Sequence, residues 1–139
     1  MNSYFFRKLT NNDYISYLKL IKQFRTTSYT KEQFDDFISS SQNTDIIVMM
    51  NENQIIASGT ILYETKLIHN ISLYAHIEDI IVDNQFRKQG IGKLLIEYLV
   101  QCCKNKNCYK ILLDCQKELI PFYEKNKFQE NGVQMVIYL

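Results

Sequence analysis

The chain has 139 residues, 46% of them hydrophobic and 22% charged, which is the composition of a globular protein of about one domain. Its 16 Lys and Arg against 15 Asp and Glu leave a net charge of +1, so no overall basic field exists to attract nucleic acid. No apolar run approaches the ~18 residues that span a membrane, and the amino terminus lacks the order of a signal peptide. We therefore expect one cytoplasmic domain over residues 1–139, without a nucleic-acid or membrane partner.

Hydrophobic periodicity predicts the element order β-α-α-β-β-β-α-β-α-β. The predicted strands cover residues 3–9, 45–50, 54–63, 72–83, 109–114 and 133–139. The predicted helices follow two capping signals, Thr10 with Asp13 and Thr30 with Gln33, and two further helices cover residues 90–104 and 118–126. This alternation predicts an α/β fold with a mixed sheet.

The four cysteines lie close together near the end of the chain. They are Cys102, Cys103, Cys108 and Cys115. A disulfide framework spreads its bridges along the whole chain, and a zinc site of the usual type needs CxxC pairs or nearby histidines. Neither pattern is present, because His69 and His76 lie outside the cluster. We expect reduced thiols that pack as small apolar side chains, and no metal site.

A basic loop that contains glycine joins the predicted strand 72–83 to the helix 90–104. A helix N-terminus carries unpaired N–H groups and a partial positive charge, so it is suited to a phosphate or pyrophosphate. Gly90 and Gly92 let the backbone approach such a ligand closely. The loop is neither a Walker A motif, because Arg87 replaces its first glycine, nor a dinucleotide fingerprint, because Leu95 replaces its third. A purely structural turn is the alternative.

The loop sequence Arg87-Lys88-Gln89-Gly90-Ile91-Gly92 resembles the R/Q-x-x-G-x-G/A motif of the GNAT N-acetyltransferases. Together with the segments 76–80, 108–115 and 122–125, in that order, it resembles the glucosamine-6-phosphate N-acetyltransferase subfamily. The resemblance implies a GNAT fold, with a mixed central sheet flanked by helices. It also implies acetyl-CoA as cosubstrate, no metal, a homodimer, and acetyl transfer to the amine of D-glucosamine 6-phosphate in amino-sugar (UDP-N-acetylglucosamine) biosynthesis.

The same resemblance assigns binding residues. The positions implied for the coenzyme are Ile80, Ile81, Val82, Arg87, Lys88, Gln89, Gly90, Ile91, Gly92 and Lys93. A bulge in the strand before the loop would leave a backbone amide free to stabilise an oxyanion. The positions implied for the amino-sugar phosphate are Thr27, Lys66, His69, Glu78, Asp79, Tyr109 and Lys110. Scattered lysines and strand carboxylates are more often solvated surface, so these assignments depend on the resemblance.

Two residues are assigned to catalysis in the same way. Tyr123 would protonate the departing thiolate as a general acid, and the backbone carbonyl of Asp114 would orient the amine. Glu78 is a weaker candidate for the base that deprotonates the ammonium group. The alternatives are a tyrosine packed under a helix and carboxylates in solvent. Because no histidine adjoins Cys108 or Cys115, direct transfer in a ternary complex is preferred to an acyl-cysteine route.

Three positions depart from the subfamily pattern. Leu119 stands where asparagine is common, Lys127 where glycine is usual, and Tyr138 where many members have arginine. These departures concern the acceptor end of the site. Two other functions are therefore considered beside the main one. The first is a GNAT enzyme for another amine (a different aminosugar, a polyamine or a protein N-terminus), and the second is a non-catalytic module that binds acetyl-CoA.

Overall fold

The computed structural model describes residues 3–139, and its centre is a five-stranded sheet. The strands are β1 (Tyr4–Lys8), β2 (Thr44–Asn51), β3 (Gln54–Lys66), β4 (Ser72–Val82) and β5 (Lys110–Leu112). They lie side by side in chain order, antiparallel from β1 to β4, and β5 pairs with β4 in parallel. The structure thus confirms the predicted α/β fold with a mixed sheet.

Within the described residues, five helical segments accompany the strands, four of them between strands and the last after β5. They are α1 (Tyr14–Ile21), α2 (Lys31–Ser40), α3 (Ile68–Ile71), α4 (Ile91–Asn105) and α5 (Ile120–Lys125). Single 3₁₀ turns precede α1 (Asn11–Asp13), α4 (Asn84–Phe86) and α5 (Lys117–Leu119). The predicted capping box is present at α2, where the Gln33 backbone N–H donates to Thr30 Oγ1 (3.1 Å) and Gln33 Oε1 accepts from the Thr30 N–H (2.9 Å). The predicted helix start at Thr10 and Asp13 is also present, as the first 3₁₀ turn. Within residues 3–139 no helix has the length and apolar character needed to cross a bilayer.

The sheet has an apolar cluster on each side. One cluster packs α4 against the sheet, with Leu95 and Leu99 meeting Ile61 of β3. The other packs α1 and α2 against the first strands, with Leu20 and Phe34 at its centre. Because side chains alternate along a strand, successive apolar residues point to opposite sides of the sheet and pack into different clusters. The sheet is therefore held by helices on both sides, and α4 is fixed beside β3 and β4.

The predicted strand over residues 133–139 is wrong. This segment pairs with no strand of the described chain, and its side chains are exposed, with Val136 the least exposed of its apolar residues at 68%. Its apolar residues have the composition of a strand, but a strand forms only where another edge supplies hydrogen bonds. Strand β5 is also shorter than the predicted 109–114, and β3 continues beyond the predicted 54–63 to Lys66.

Candidate active site

The first feature of the site is the loop between β4 and α4. Gly90 adopts the left-handed conformation, with φ of +79°, and α4 begins directly after it without a side-chain cap. The Leu94 amide bonds back to the Gly90 carbonyl (3.2 Å), so the N–H groups of Ile91, Gly92 and Lys93 precede the first helical hydrogen bond. An uncapped helix start of this kind suits an anionic ligand. The sequence predicted both the helix start and the special backbone at Gly90.

The charged side chains of this loop lie at its surface. Arg87 Nε donates to the Val82 carbonyl (3.2 Å), and Lys93 Nζ lies 3.2 Å from a carboxylate oxygen of Glu97. Lys88 is exposed and has a φ of +62°. Positive charge therefore surrounds the start of α4, while the backbone amides themselves remain open.

Strand β4 contains the bulge that the resemblance implied. Glu78 pairs with Thr60, but Ile81 pairs with Ser58, so two residues of β4 lie opposite one residue of β3. Asp79, one of these two, has a φ of +50°. A bulge interrupts the ladder and leaves backbone groups of the strand without a partner across the sheet. The backbone just before the loop between β4 and α4 is therefore able to bind a ligand.

Gly59 is the residue opposite the bulge. A Cβ atom there would lie 2.6 Å from Leu99 Cδ1 and 2.8 Å from Ile80 Cδ1. A Cβ atom at this position would push the ends of the Leu99 and Ile80 side chains aside, so glycine lets α4 and the bulged segment pack closely against β3. The sequence does not mark Gly59 as part of the site, because a single glycine within a strand pattern indicates a bulge or a close contact but not which elements meet there.

A cleft of about 760 Å³ brings several of the predicted site residues together. Its wall includes the predicted catalytic residues Tyr123 and Asp114 together with Glu78. It also includes Tyr109 and Lys110, which the resemblance assigned to the sugar phosphate. Catalytic and acceptor positions thus share one open space.

Helix α5 places Tyr123 in this cleft. The Tyr123 ring is 9% exposed and makes edge contacts with Phe122 (4.9 Å between centroids) and Phe128 (5.9 Å). The Phe122 ring in turn lies against Gly92, 3.4 Å from the point that a Cβ atom would occupy. The start of α5 is therefore packed against the start of α4, through Phe122, the neighbour of Tyr123.

The electrostatics of the cleft suit an acid and a base. Burial raises the pKa of Tyr123, and the nearby Cys115 and Asp114 raise it further, so the phenol keeps its proton at neutral pH. Partial desolvation raises the pKa of Glu78, and the charges of Asp114 and Asp79 add to this effect against the opposing influence of His76. A carboxylate with a raised pKa accepts a proton more readily than an ordinary one.

The basic–aromatic cluster, formed by Lys66, His69, Tyr74, Tyr109 and Lys110, lies where β3 ends and β4 and β5 begin. The ammonium groups of Lys66 and Lys110 lie over the Tyr74 ring, 4.9 and 5.1 Å from its centroid. His69 stacks on Tyr109, with ring centroids 4.2 Å apart. Two ammonium groups close to one ring make this part of the surface positive, which suits an anionic ligand. Sequence patterns could not find Tyr74, because it reads as an ordinary strand residue.

Helix α3 gives His69 its position in the cluster. His69, Asn70 and Ile71 have φ values of 55°, 61° and 59°, so the segment turns in the left-handed sense. This conformation costs roughly 1–2 kcal/mol for each residue with a side chain. It is strained at Ile71 above all, whose side chain is branched at Cβ.

Other predicted residues lie apart from the cleft. Lys66, His69, Asp79 and Thr27 are not part of its wall, and Thr27 lies half-buried in the connection between α1 and α2. All four cysteines are free thiols. Among residues 3–139 no three His, Cys, Asp or Glu side chains are grouped so that they could hold a metal ion.

Comparison with known proteins gives the class. Residues 10–128 match the model of the acetyltransferase (GNAT) family, so the chain belongs to that family. The uncapped start of α4, the bulged β4 and the mixed sheet described above are thus the parts of an acetyltransferase.

Individual members of the family are similar to the chain over most of its length. The chain is 39% identical to glucosamine 6-phosphate N-acetyltransferase 1 of Dictyostelium discoideum over 96% of this chain and 90% of that protein. It is 36% identical to the Arabidopsis thaliana glucosamine 6-phosphate N-acetyltransferase over 88% and 87% of the two chains. The crystal structure of glucosamine-6-phosphate N-acetyltransferase from Arabidopsis superposes with a TM-score of 0.88 at 34% identity and covers 98% of each chain.

Proposed function

We propose that this protein transfers the acetyl group of acetyl-CoA to the amine of D-glucosamine 6-phosphate, giving N-acetyl-D-glucosamine 6-phosphate and free coenzyme A. One observation carries the proposal: a single cleft is lined by an acid and a base, Tyr123 and Glu78, and by Lys110 of the basic–aromatic cluster. The similarity to glucosamine 6-phosphate N-acetyltransferases of Dictyostelium and Arabidopsis supports the same substrate.

The residues around α4 fit a coenzyme diphosphate. The left-handed Gly90 and the absent side-chain cap leave the amides of Ile91, Gly92 and Lys93 open, and Arg87, Lys88 and Gln89 supply polar and positive groups around them. Ile80 lies in the bulge and Ile81 and Val82 follow it, and these residues would bind the extended arm through their backbone. When bound, acetyl-CoA supplies the activated acetyl group.

The side chains of the cleft divide the proton transfers between them. Glu78 accepts a proton from the ammonium group of the sugar, directly or through water. The carbonyl of Asp114 accepts a hydrogen bond from the resulting amine and orients its lone pair. A backbone N–H at the bulge stabilises the negative charge that develops on oxygen. Tyr123 donates its proton to the departing sulfur and is reprotonated by the second proton that the nitrogen loses as the amide forms; no acyl-cysteine forms.

The basic–aromatic cluster would bind the sugar phosphate. Lys66 and Lys110 supply positive charge from two strands, and His69 and Tyr109 form a flat stacked wall. Of the two lysines, Lys66 also lies 3.7 Å from Glu64, whereas Lys110 has no carboxylate partner within residues 3–139. Thr27 and Asp79 complete the acceptor side in this proposal.

A homodimer is part of the proposal. The apolar segment 133–139 is exposed, and β5 has a free outer edge within the described chain. The corresponding segment and strand edge of a second copy would cover both. Val133 and Gln134 line the same cleft as Tyr123, so covering this segment would also enclose the site. Free thiols and a single domain over residues 1–139 accord with a cytoplasmic enzyme.

The substrate is tested with a panel of amines. Glucosamine 6-phosphate, glucosamine, galactosamine 6-phosphate, spermidine and a peptide are offered with acetyl-CoA, and thiol release is followed. We expect glucosamine 6-phosphate to give the highest kcat/KM. Lys110→Ala should raise KM for the phosphorylated sugar by about tenfold and leave KM for glucosamine unchanged, since a charged hydrogen bond contributes roughly 1.5–3 kcal/mol. The control is Lys19→Ala, an exposed lysine on α1. Preference for an unphosphorylated amine would contradict the assignment.

Sedimentation equilibrium tests the dimer. We expect twice the mass of the chain, and a shift toward the monomer when Ile137→Asp places a charge in the exposed segment. Ile15→Asp, at a 71% exposed position of α1, is the matched control and should leave the mass unchanged. A wild-type chain that sediments as a monomer at micromolar concentration would refute this part of the proposal.

A further inference from the structure

Gln23 links two parts of the chain that lie far apart in sequence. It follows α1, and its side-chain amide makes two hydrogen bonds to the start of the loop between β4 and α4 (residues 83–90). Nε2 donates to Asp83 Oδ2 (3.1 Å), and Oε1 accepts from the backbone N–H of Asn84 (2.9 Å). Donor and acceptor of one amide are thus both used on adjacent residues of that loop.

Asp83 is the residue from which the loop is organised. It is 8% exposed, and its N–H donates to the Ile56 carbonyl of β3 (2.8 Å). Its Oδ1 accepts from the Gln85 N–H (2.9 Å), and its carbonyl accepts from the Phe86 N–H (2.9 Å). A buried carboxylate needs donors for its oxygens. No Lys or Arg within residues 3–139 pairs with it, so the Gln23 amide supplies the side-chain donor.

The rest of the loop is held mainly by itself. Among the described residues, the other hydrogen bonds recorded for residues 84–89 stay within residues 82–89, such as Arg87 Nε to the Val82 carbonyl and Gln89 Nε2 to the Gln85 carbonyl. Gln23 is the hydrogen-bonding partner that reaches this segment from another part of the chain. The Phe86 ring also anchors the segment, because it packs against the apolar cluster between α4 and the sheet. Gln23 and Phe86 together therefore set the direction in which the loop enters Gly90 and α4.

We propose that Gln23 is a positioning residue for the coenzyme, an inference that rests on the proposed function. It fixes Asp83 and Asn84, and through them the backbone that leads to the open amides of Ile91 and Gly92. Hydrogen-bond donors bind an anion well only when they are held in place before it arrives, so a loop released from Gln23 would bind the diphosphate more weakly. Gln23 does not touch the reacting atoms, so the acetyl-transfer step itself is unaffected.

Four variants test this inference. Gln23→Leu removes both bonds at similar volume. Gln23→Glu keeps the acceptor for the Asn84 N–H but places its carboxylate against the carboxylate of Asp83. Asp83→Asn places the side-chain amide donors of residues 23 and 83 face to face. The double variant Gln23→Glu with Asp83→Asn restores one donor opposite one acceptor. Calorimetric binding of acetyl-CoA, kcat, KM and thermal melting are measured for each.

We expect the three single variants to bind acetyl-CoA about tenfold more weakly, with KM for acetyl-CoA raised to match and kcat within about twofold of wild type. The double variant should recover most of the affinity. A purely structural role would lower the melting temperature and leave the affinity of the folded protein unchanged, which would overturn the inference, as would a double variant no better than the singles. A wild-type protein that fails to bind acetyl-CoA would instead refute the proposed function.

Discussion

Removing the hydroxyl of Tyr123 is the most informative change in the catalytic cleft. Tyr123→Phe keeps the ring, and with it the edge contacts to Phe122 and Phe128 that seat α5. Within residues 3–139 the Tyr123 hydroxyl makes no recorded hydrogen bond, so its loss leaves no buried partner unsatisfied. We expect the free energy of unfolding to change by less than about 0.5 kcal/mol.

The effect on catalysis should be much larger. General acid catalysis contributes 10²–10⁴-fold. The raised pKa of Tyr123 makes it a weak acid toward a thiolate whose pKa is ~8.5, so the lower end of this range applies. We therefore expect kcat to fall by about 100-fold, or about 2.7 kcal/mol in the barrier. Binding of acetyl-CoA should not change, because the open amides of α4 are untouched.

The assay is steady-state thiol release with saturating acetyl-CoA and glucosamine 6-phosphate, together with calorimetric binding of acetyl-CoA. Tyr98→Phe is the matched control, because Tyr98 is a partly buried tyrosine of α4 that stacks on Phe6 (4.1 Å between centroids), away from the cleft. It should retain wild-type kcat. If Tyr123→Phe turns over as fast as this control, Tyr123 is a packing residue and the assigned acid is wrong.

Three further predictions concern pH and stability. Glu78→Gln should lower kcat and abolish the fall in wild-type kcat at acidic pH, since a base with a raised pKa is lost as pH drops through that pKa; a pH–rate profile checks this. Burial raises the pKa of Asp13, but hydrogen bonds from Arg7 (2.7 and 2.9 Å) and Thr10 outweigh it and hold the net pKa below its usual range. Asp13→Asn should therefore lower the melting temperature at pH 7, with the difference shrinking as pH falls below the unfolded-state value of ~3.9 and through the folded-state pKa; an undiminished difference at pH 2 would contradict this. Lys127 has a φ of +73° just after α5, so Lys127→Gly should stabilise the fold by about 1 kcal/mol and raise the melting temperature by roughly 3–4 °C in a thermal melt.

Local signals in the sequence predicted the parts of the fold that depend on neighbouring residues. The capping signals at Thr10 and Thr30 fixed two helix starts, and Gly90 fixed the left-handed entry to α4. Each of these features is decided within about four residues, so a single sequence contains the information. The bulge at Asp79 came from the family resemblance alone, because nothing in its apolar surroundings distinguishes it from a regular strand.

Features that depend on distant residues could not be predicted. Gln23 and Asp83 are sixty residues apart in the chain, and neither type nor spacing indicates their contact. Tyr74 reads as a core residue of β4, and only the fold places Lys66 and Lys110 over its ring. The segment 133–139 was predicted as a strand from its composition, but composition does not show whether a partner edge lies within reach.

The central claim is that the open amides at the start of α4 bind the diphosphate of acetyl-CoA. A ¹⁵N–¹H correlation spectrum, recorded while acetyl-CoA or acetyl-pantetheine (which lacks the diphosphate) is added, tests it most directly. We predict large downfield shifts of the Ile91, Gly92 and Lys93 amide protons with acetyl-CoA, as expected for new hydrogen bonds to an anion, and small ones with acetyl-pantetheine. Amide signals at these three residues that stay in place while acetyl-CoA saturates the protein would contradict the account.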